Sequence, residues 1–281
     1  MDLKNKLKGL PKIYYLNLDS RKDRADWTET QFEKYKISNY ERYSASTYKA
    51  DELDSWKHLV LGYNRDVDRI YRRERHRRAE CAISMSTLDM IRHWLTTSND
   101  PYCILMEDDY DLYPIDYWHF DWEYLMNNIP YDWDCIQLGF ENHHTVPCFL
   151  HPILPGHCMG PCMINRPYAE KLLRLHIVDG KYHFYQHLGN WWWRDAIRLP
   201  GSTLDYFICQ NGKTYSIPLI TVNEDIGSYE GNHIRSDRQD LYFTRKAYWK
   251  WWTELRDEYT LKDFFSYGKP NDRYIKRSKL T

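Results

Sequence analysis

The chain has no run approaching the 18 or so consecutive apolar residues that a membrane-spanning helix requires. Its start, "MDLKNKLKGLPKIYYLNLD", is basic but has no apolar block of roughly 7 to 15 residues such as a signal peptide carries. The expectation is a protein with no transmembrane segment, located in the cytoplasm. An excess of charge is also missing: 39 Lys and Arg stand against 40 Asp and Glu, for a formal net charge of -1. No whole-protein field draws it to nucleic acid or repels it from anionic surfaces, so no nucleic-acid partner is expected and any charge preference must be local. Cysteines number seven, an odd and scattered set that need not form a disulfide framework in a chain this long, so reduced thiols are the simpler reading. No internal repeat is visible.

What is abundant is aromatic: 25 Tyr and 12 Trp in 281 residues. Such rings stack on sugars and bases, and they also fill cores and interfaces. The length suits a single domain spanning 1–281, with a core over about 12–235 followed by a C-terminal helix and a basic tail over 236–281. "KIYYLNLD" has strand composition and stops at Asp19 and Ser20, which could cap a helix starting near Arg21. In "ISMSTLDMIRHWL", Leu88, Ile91 and Leu95 fall on one helical face, "SNDP" breaks the pattern, and "YCILM" reads as a strand. "DWDCIQLGF" predicts another strand, and "CMINRPYAEKLLRL" a strand leading into a helix with Pro167 in its first turn. "TYSIPLITVN" adds a late strand, placed at an edge by Pro218. Leu241, Tyr248, Trp252 and Leu255 share one face of a closing helix, and "YGKPNDRYIKRSKLT" reads as a loose tail. This alternation predicts an α/β sheet flanked by helices on both faces.

The most informative stretch is "CILMEDDYDL", in which a buried strand runs into Glu107, Asp108 and Asp109. Adjacent carboxylates repel unless a cation or protons neutralise them. Ligands of α/β sheets bind beyond the carboxyl ends of strands, where these acids fall. In extended chain Glu107 and Asp109 project to one side and Asp108 to the other. Two such carboxylates suit Mn2+ or Mg2+, whose shell is completed by water and substrate phosphate. The competing reading is a solvated loop or helix start.

In order and spacing, "IYYLNLDSRKDR", "ECAISMSTLDM", "CILMEDDYDL", "DWDCIQLG", "CMINRPYAEKLL" and "LDYFI" ahead of "YSIPLITVN" resemble glycosyltransferase family 25 across roughly residues 12 to 225. That family contains lipooligosaccharide galactosyltransferases and collagen hydroxylysine galactosyltransferases. The resemblance implies a glycosyltransferase A-type (GT-A) fold with a Rossmann-like sheet. It also implies a UDP-galactose or UDP-glucose donor, Mn2+ at the acidic motif, and inverting transfer of a hexose to a hydroxyl of a glycan, lipid-linked glycan or hydroxylysine. By the same resemblance, Asp109 and Glu107 hold the metal, and Glu107 and Asp108 belong to the nucleotide-binding motif. Asn17 and Arg24 match the family's "NL..R..R" start, Ser84 matches the serine of "C.LSH", and Asp205 matches the acidic position of the catalytic base. His233 is a candidate third metal ligand from a C-terminal loop. Met85 stands where the family has histidine and Glu80 where it has glycine, which implies altered substrate handling or lost activity.

Three further clusters carry alternatives. Six arginines in "RIYRRERHRR" suit a diphosphate or an anionic acceptor, or form a solvated charged face. Trp191, Trp192 and Trp193 cannot all face one core; one of them would stack on a sugar or serve packing. His151, His157, Cys158, Cys162 and Cys148 match no common zinc spacing. A sugar-nucleotide or glycoside hydrolase, or a non-catalytic carbohydrate-binding protein, would also place acids near a sugar.

Overall fold

The computed structural model of the protein describes residues 6–141, 145–153, 158–184, 204–223, 235–266 and 274–276, with backbone alone at 141, 145–147, 158–159, 204–206, 235–241 and 274–276. The strands, in chain order, are β1 (Ile13–Asn17), β2 (Tyr40–Ser44), β3 (Tyr102–Glu107), β4 (Tyr110–Asp111), β5 (Cys135–Gln137), β6 (Phe140–Glu141), β7 (Thr145–Pro147), β8 (His151–Pro152), β9 (Cys158–Met159), β10 (Cys162–Asn165), β11 (Ile177–Val178), β12 (Lys181–Tyr182), β13 (Thr214–Ser216), β14 (Thr221–Val222) and β15 (Tyr274–Lys276). The main helices are α1 (Lys22–Lys34), α2 (Arg65–Arg73), α3 (Arg75–Thr97), α4 (Trp122–Asn128), α5 (Arg166–His176), α6 (Leu204–Cys209) and α7 (Arg235–Lys250).

Seven strands form the central sheet in the order β2-β1-β3-β10-β5-β13-β8. It is mostly parallel: β2, β1, β3, β5 and β13 run one way, and β10 and β8 run against them. All five residues of β1 are buried, as a strand covered on both faces requires. Its alternate residues serve opposite layers. Ile13 and Tyr15 join Ile104 and Met106 of β3 under Phe32 and Tyr35 from the α1 side. Tyr14 and Leu16 join Cys103 and Leu105 under Leu88, Ile91 and Trp94 of α3. Helices therefore cover both faces.

From β1 the chain passes through α1 to β2 on one side, then crosses back through α2 and α3 to β3 on the other side of β1. Connections leaving in opposite directions with the same right-handed sense lie on opposite faces and open a crevice at the carboxyl ends of β1 and β3. The acid triplet lies at that point, since Leu16 pairs with Glu107.

Several local expectations need correction. Asp19 does not cap α1, whose first residue follows Arg21 with no side-chain cap; the Asp19 carboxylate instead accepts from Arg42 and Ser44. The helix around "ISMSTLDMIRHWL" begins earlier, at Arg75. Pro218 lies beyond β13, and the two-residue β8 covers that edge, so the missing proline N–H breaks no ladder. The tail is not wholly loose, because β15 pairs antiparallel with β7. The closing helix gives way after Lys250 to a π-helical turn, Trp251–Leu255, that buries both tryptophans. Most described aromatics serve packing, and Trp56, Trp94, Trp122, Trp251 and Trp252 are fully enclosed. No helix among the described residues is long and apolar enough to cross a membrane.

Candidate functional site

The acid triplet is a gripped turn. Glu107 closes β3, Asp108 and Asp109 form the turn, and β4 leaves it to pair with β14. Arg24, Thr28 and Gln31 lie at i, i+4 and i+7 on α1, hence on one face. Arg24 donates through Nη1 to Asp108 Oδ1 at 2.6 Å and through Nη2 to Asp109 Oδ2 at 2.6 Å. Thr28 Oγ1 donates to the Asp108 carbonyl at 3.2 Å. Gln31 Nε2 donates to the Tyr110 carbonyl at 3.0 Å, and its Oε1 accepts from Leu112 N at 2.8 Å. From the other side, Asn223 N donates to the Asp109 carbonyl at 2.6 Å.

The side chains of the triplet divide by burial. Asp108 is 4% exposed, while Glu107 and Asp109 keep partial exposure. Asn17, at the end of β1, donates through Nδ2 to Asp108 Oδ2 at 2.5 Å and accepts at Oδ1 from Arg42 Nε at 2.8 Å. Arg42 also reaches Asp19 at 2.6 Å. A polar chain thus runs Arg42, Asn17, Asp108, Arg24, Asp109 across the carboxyl edge. Sequence reasoning missed Arg42, Thr28 and Gln31. The helical spacing of Thr28 and Gln31 from Arg24 was a usable signal, but Arg42 is tied to the site only by the pairing of β2 with β1.

Burial pushes the Asp108 carboxyl up to about 6, Arg24 opposes that, and the Asp109 charge adds to it. Burial alone disfavours the Arg24 cation, but Asp109, Asp108 and Glu107 together outweigh it and hold the guanidinium charged. The turn is therefore assembled around an internal cation.

The oxygen chemistry of the turn is of the kind a hard divalent cation prefers. Arg24 is the sole side-chain hydrogen-bond donor to Asp109 among the described residues and uses Oδ2. Asp109 and Glu107 are the two partly exposed carboxylates of the turn and could both contribute oxygens to such an ion. Among the described residues no group of three or more His, Cys, Asp or Glu gathers as a complete protein cage. Two carboxylates with the rest of the shell left to water and phosphate is how Mg2+ and Mn2+ bind nucleotide substrates.

The other candidates separate in space. Ser84 and Met85 are fully enclosed on α3, where the Met85 sulfur lies 4.0 Å from Cys81 Sγ, so neither presents surface to a ligand. Glu80 lies 3.7 Å from Arg77. Asp205 falls in the first turn of α6, whose side chain there is not described; α6 packs against β9 and β5. His233, His157 and Trp191 to Trp193 lie outside the described residues. Cys148 belongs to one face of the sheet and Cys162 to the other, beside Cys135, so these thiols do not converge. The arginine run is split between α2 and α3 and is largely neutralised. Arg72 pairs with Asp54 and Asp68, Arg75 with Asp51, and Arg77 with Glu74, while Arg78 donates to the carbonyls of Ala50 and Tyr71. An open cleft of about 390 Å³ there, lined by residues 50–55 with Arg72 and Arg78, thus contains guanidinium groups already committed to protein oxygens.

No protein-family model matches this chain, and no curated protein matches it either.

Proposed function

We propose that the chain is a metal-dependent inverting glycosyltransferase of GT-A type that moves a hexose from UDP-galactose or UDP-glucose to a hydroxyl acceptor. The observation that carries this reading is the acid turn. It lies where the strand order reverses, the position at which α/β sheets bind nucleotides. Its partly exposed carboxylates are Glu107 and Asp109, and its buried one is fixed by Arg24 and Asn17.

In this reading Glu107 and Asp109 would hold Mn2+, or Mg2+, and the ion would supply positive charge to stabilise a departing diphosphate. The remaining work falls to the chain. Arg24 and Asn17 keep Asp108 and its neighbours in one geometry, so ordering the turn does not draw on the binding energy of the donor. Asp108, engaged on both oxygens, positions the turn. Asp205 takes the proton from the acceptor hydroxyl as the sugar transfers, the role of a general base in an inverting reaction. A glycan, lipid-linked glycan or hydroxylysine would each present such a hydroxyl.

The test is to incubate the protein with UDP-galactose or UDP-glucose and Mn2+, with and without a panel of hydroxyl acceptors, and to measure free UDP. Acceptor-dependent release is expected, with Asp205→Asn retaining donor binding but losing transfer. Release independent of acceptor, above slow background, would assign a hydrolase. No release with either donor would leave a binding protein and overturn the proposal.

A further inference from the structure

The flank of the acid turn carries exposed rings that the nucleotide reading does not use. Beyond β4, Tyr113 and Tyr117 open and close one 3-10 turn, and the last turn of α7 sets Trp249 against both. Its ring centroid is 5.3 Å from that of Tyr113 at 47° and 5.9 Å from that of Tyr117 at 74°. The tyrosines brace the indole from two directions and leave Trp249 48% exposed. Tyr242, seven residues earlier and hence on the same helical face, is 53% exposed. Trp249 is the one large exposed tryptophan among the described residues, where most other indoles are buried in the core.

We infer that this ledge is a binding surface for a neutral oligosaccharide and, resting on the transferase reading, that it seats the glycan acceptor. The chemistry selects that occupant. A pyranose offers a C–H face to an indole and a rim of hydroxyls that need donors and acceptors together. The rim of the ledge is mixed in this sense. Arg245 Nη2 lies 3.5 Å from Asp111 Oδ2, Lys246 Nζ is 5.4 Å from the Tyr242 ring centroid, and Lys34 pairs with Asp116 at 2.9 Å. An anionic lipid surface or a nucleic acid would call for a strong excess of positive charge, whereas Asp111 and Asp116 offset two of the three cations here. A stable protein partner would need roughly 800 Å² on this side, several times what two half-exposed aromatic side chains offer.

Position supports the same occupant. Tyr113 lies four positions after Asp109, so their Cα atoms are at most ~14 Å apart. β4 is held to β14, and α7 packs on β14, so ledge and acid turn share one support. An oligosaccharide lying on Trp249 with one end beside Asp111 would direct that end toward the turn.

The experiment titrates the full chain, without nucleotide or metal, with lactose, cellotetraose and maltotetraose. Titration calorimetry gives the affinity in every variant, and the indole N–H resonance of Trp249, assigned by Trp249→Phe, locates binding in the wild type. A saturable shift of that resonance is expected in the wild type with at least one sugar, and the calorimetric affinity should weaken roughly three- to tenfold in Trp249→Ala. Tyr131→Ala, which removes a ring that is 98% exposed elsewhere, should leave the affinity unchanged. Absence of a saturable shift with all three sugars, or equal affinity in Trp249→Ala, would overturn the ledge. The two readings fail separately: sugar binding without UDP release sinks the transferase and keeps the ledge, whereas acceptor-dependent UDP release with an unchanged acceptor KM in Trp249→Ala does the reverse.

Discussion

Replacing Arg24 by methionine tests the internal cation directly. The substitution keeps much of the apolar stem and removes a fork that spans Asp108 and Asp109 at 2.6 Å each. Side-chain exposure is 9% for Arg24, 6% for Asp108 and 23% for Asp109, so the pair with Asp108 counts as buried and that with Asp109 as partly screened. Breaking a buried ion pair from one side costs about 3–5 kcal/mol, because the remaining charge has no partner. Asp108 has an escape, since its pKa already stands at about 6 and rises further without Arg24, so the carboxyl can enter the variant fold protonated. Its folded pKa lies above the unfolded value of about 3.9, so the folded state binds the extra proton and stability falls as pH rises through the interval between them. In the wild type that interval ends near pH 6; in the variant it extends higher. The loss relative to wild type should therefore be small at pH 5, about 1 kcal/mol, and grow to about 3 kcal/mol by pH 8. Urea denaturation at pH 5, 6.5 and 8 measures it, with Asp108→Asn and the double variant closing a cycle. A loss of equal size at pH 5 and pH 8, or a coupling to Asp108 under about 0.5 kcal/mol, would refute the argument.

Two other outcomes follow from the same coordinates. Burial lowers the pKa of His176 to about 4; its Nδ1 bonds the His183 carbonyl at 2.7 Å and its Nε2 faces the Asn211 amide at 3.2 Å, which fixes a neutral ring. The unfolded histidine titrates near 6.5, so the unfolded state binds more protons below that value and stability is lost as pH falls from about 6.5 toward 4, by up to ~3 kcal/mol. Asp108 offsets part of this over the same range, so the clean measurement is His176→Leu, which should flatten that acid loss in chemical denaturation; an unchanged slope would contradict it. Gly160→Ala places a Cβ 2.0 Å from the Gly139 carbonyl oxygen, a backbone atom with no rotamer to yield, and should lower stability by at least ~2 kcal/mol. A thermal midpoint equal to wild type would show that the two segments separate at little cost.

Much of this architecture was legible before any tertiary contact. Leu88 and Ile91 lie buried on the predicted face of α3 with Leu95 packed beside them, and "YCILM" is a buried strand ending in the acids. Asn165 caps α5 with Pro167 in its first turn. Such features depend on periodicity and turn chemistry, which are local. The failures were matters of partner choice. Asp19 has the side chain of a helix cap, but Arg42 and Ser44 on the neighbouring strand compete for its oxygens and win. The tail sequence is polar, yet Tyr274–Lys276 finds an open edge at Thr145–Pro147. For the arginine run the sequence left an anion site and a solvated charged face both open, because it does not show that Asp51, Asp54 and Asp68 lie across from Arg72 and Arg75; that pairing favours the charged face.

By itself the sequence determined that three carboxylates would emerge together from a buried strand in an α/β sheet, because hydrophobic pattern and strand length fix where such a strand ends. Only the tertiary structure decided how they divide. Arg24 meets Asp109 across 85 residues and Asn17 meets Asp108 across 91, so one acid is enclosed and its neighbour left half-open. It also left Trp249 braced at the surface while similar indoles went inside. Periodicity tells each residue which face it shares, but which distant side chain waits on that face is set by the packing of the whole sheet and its helices.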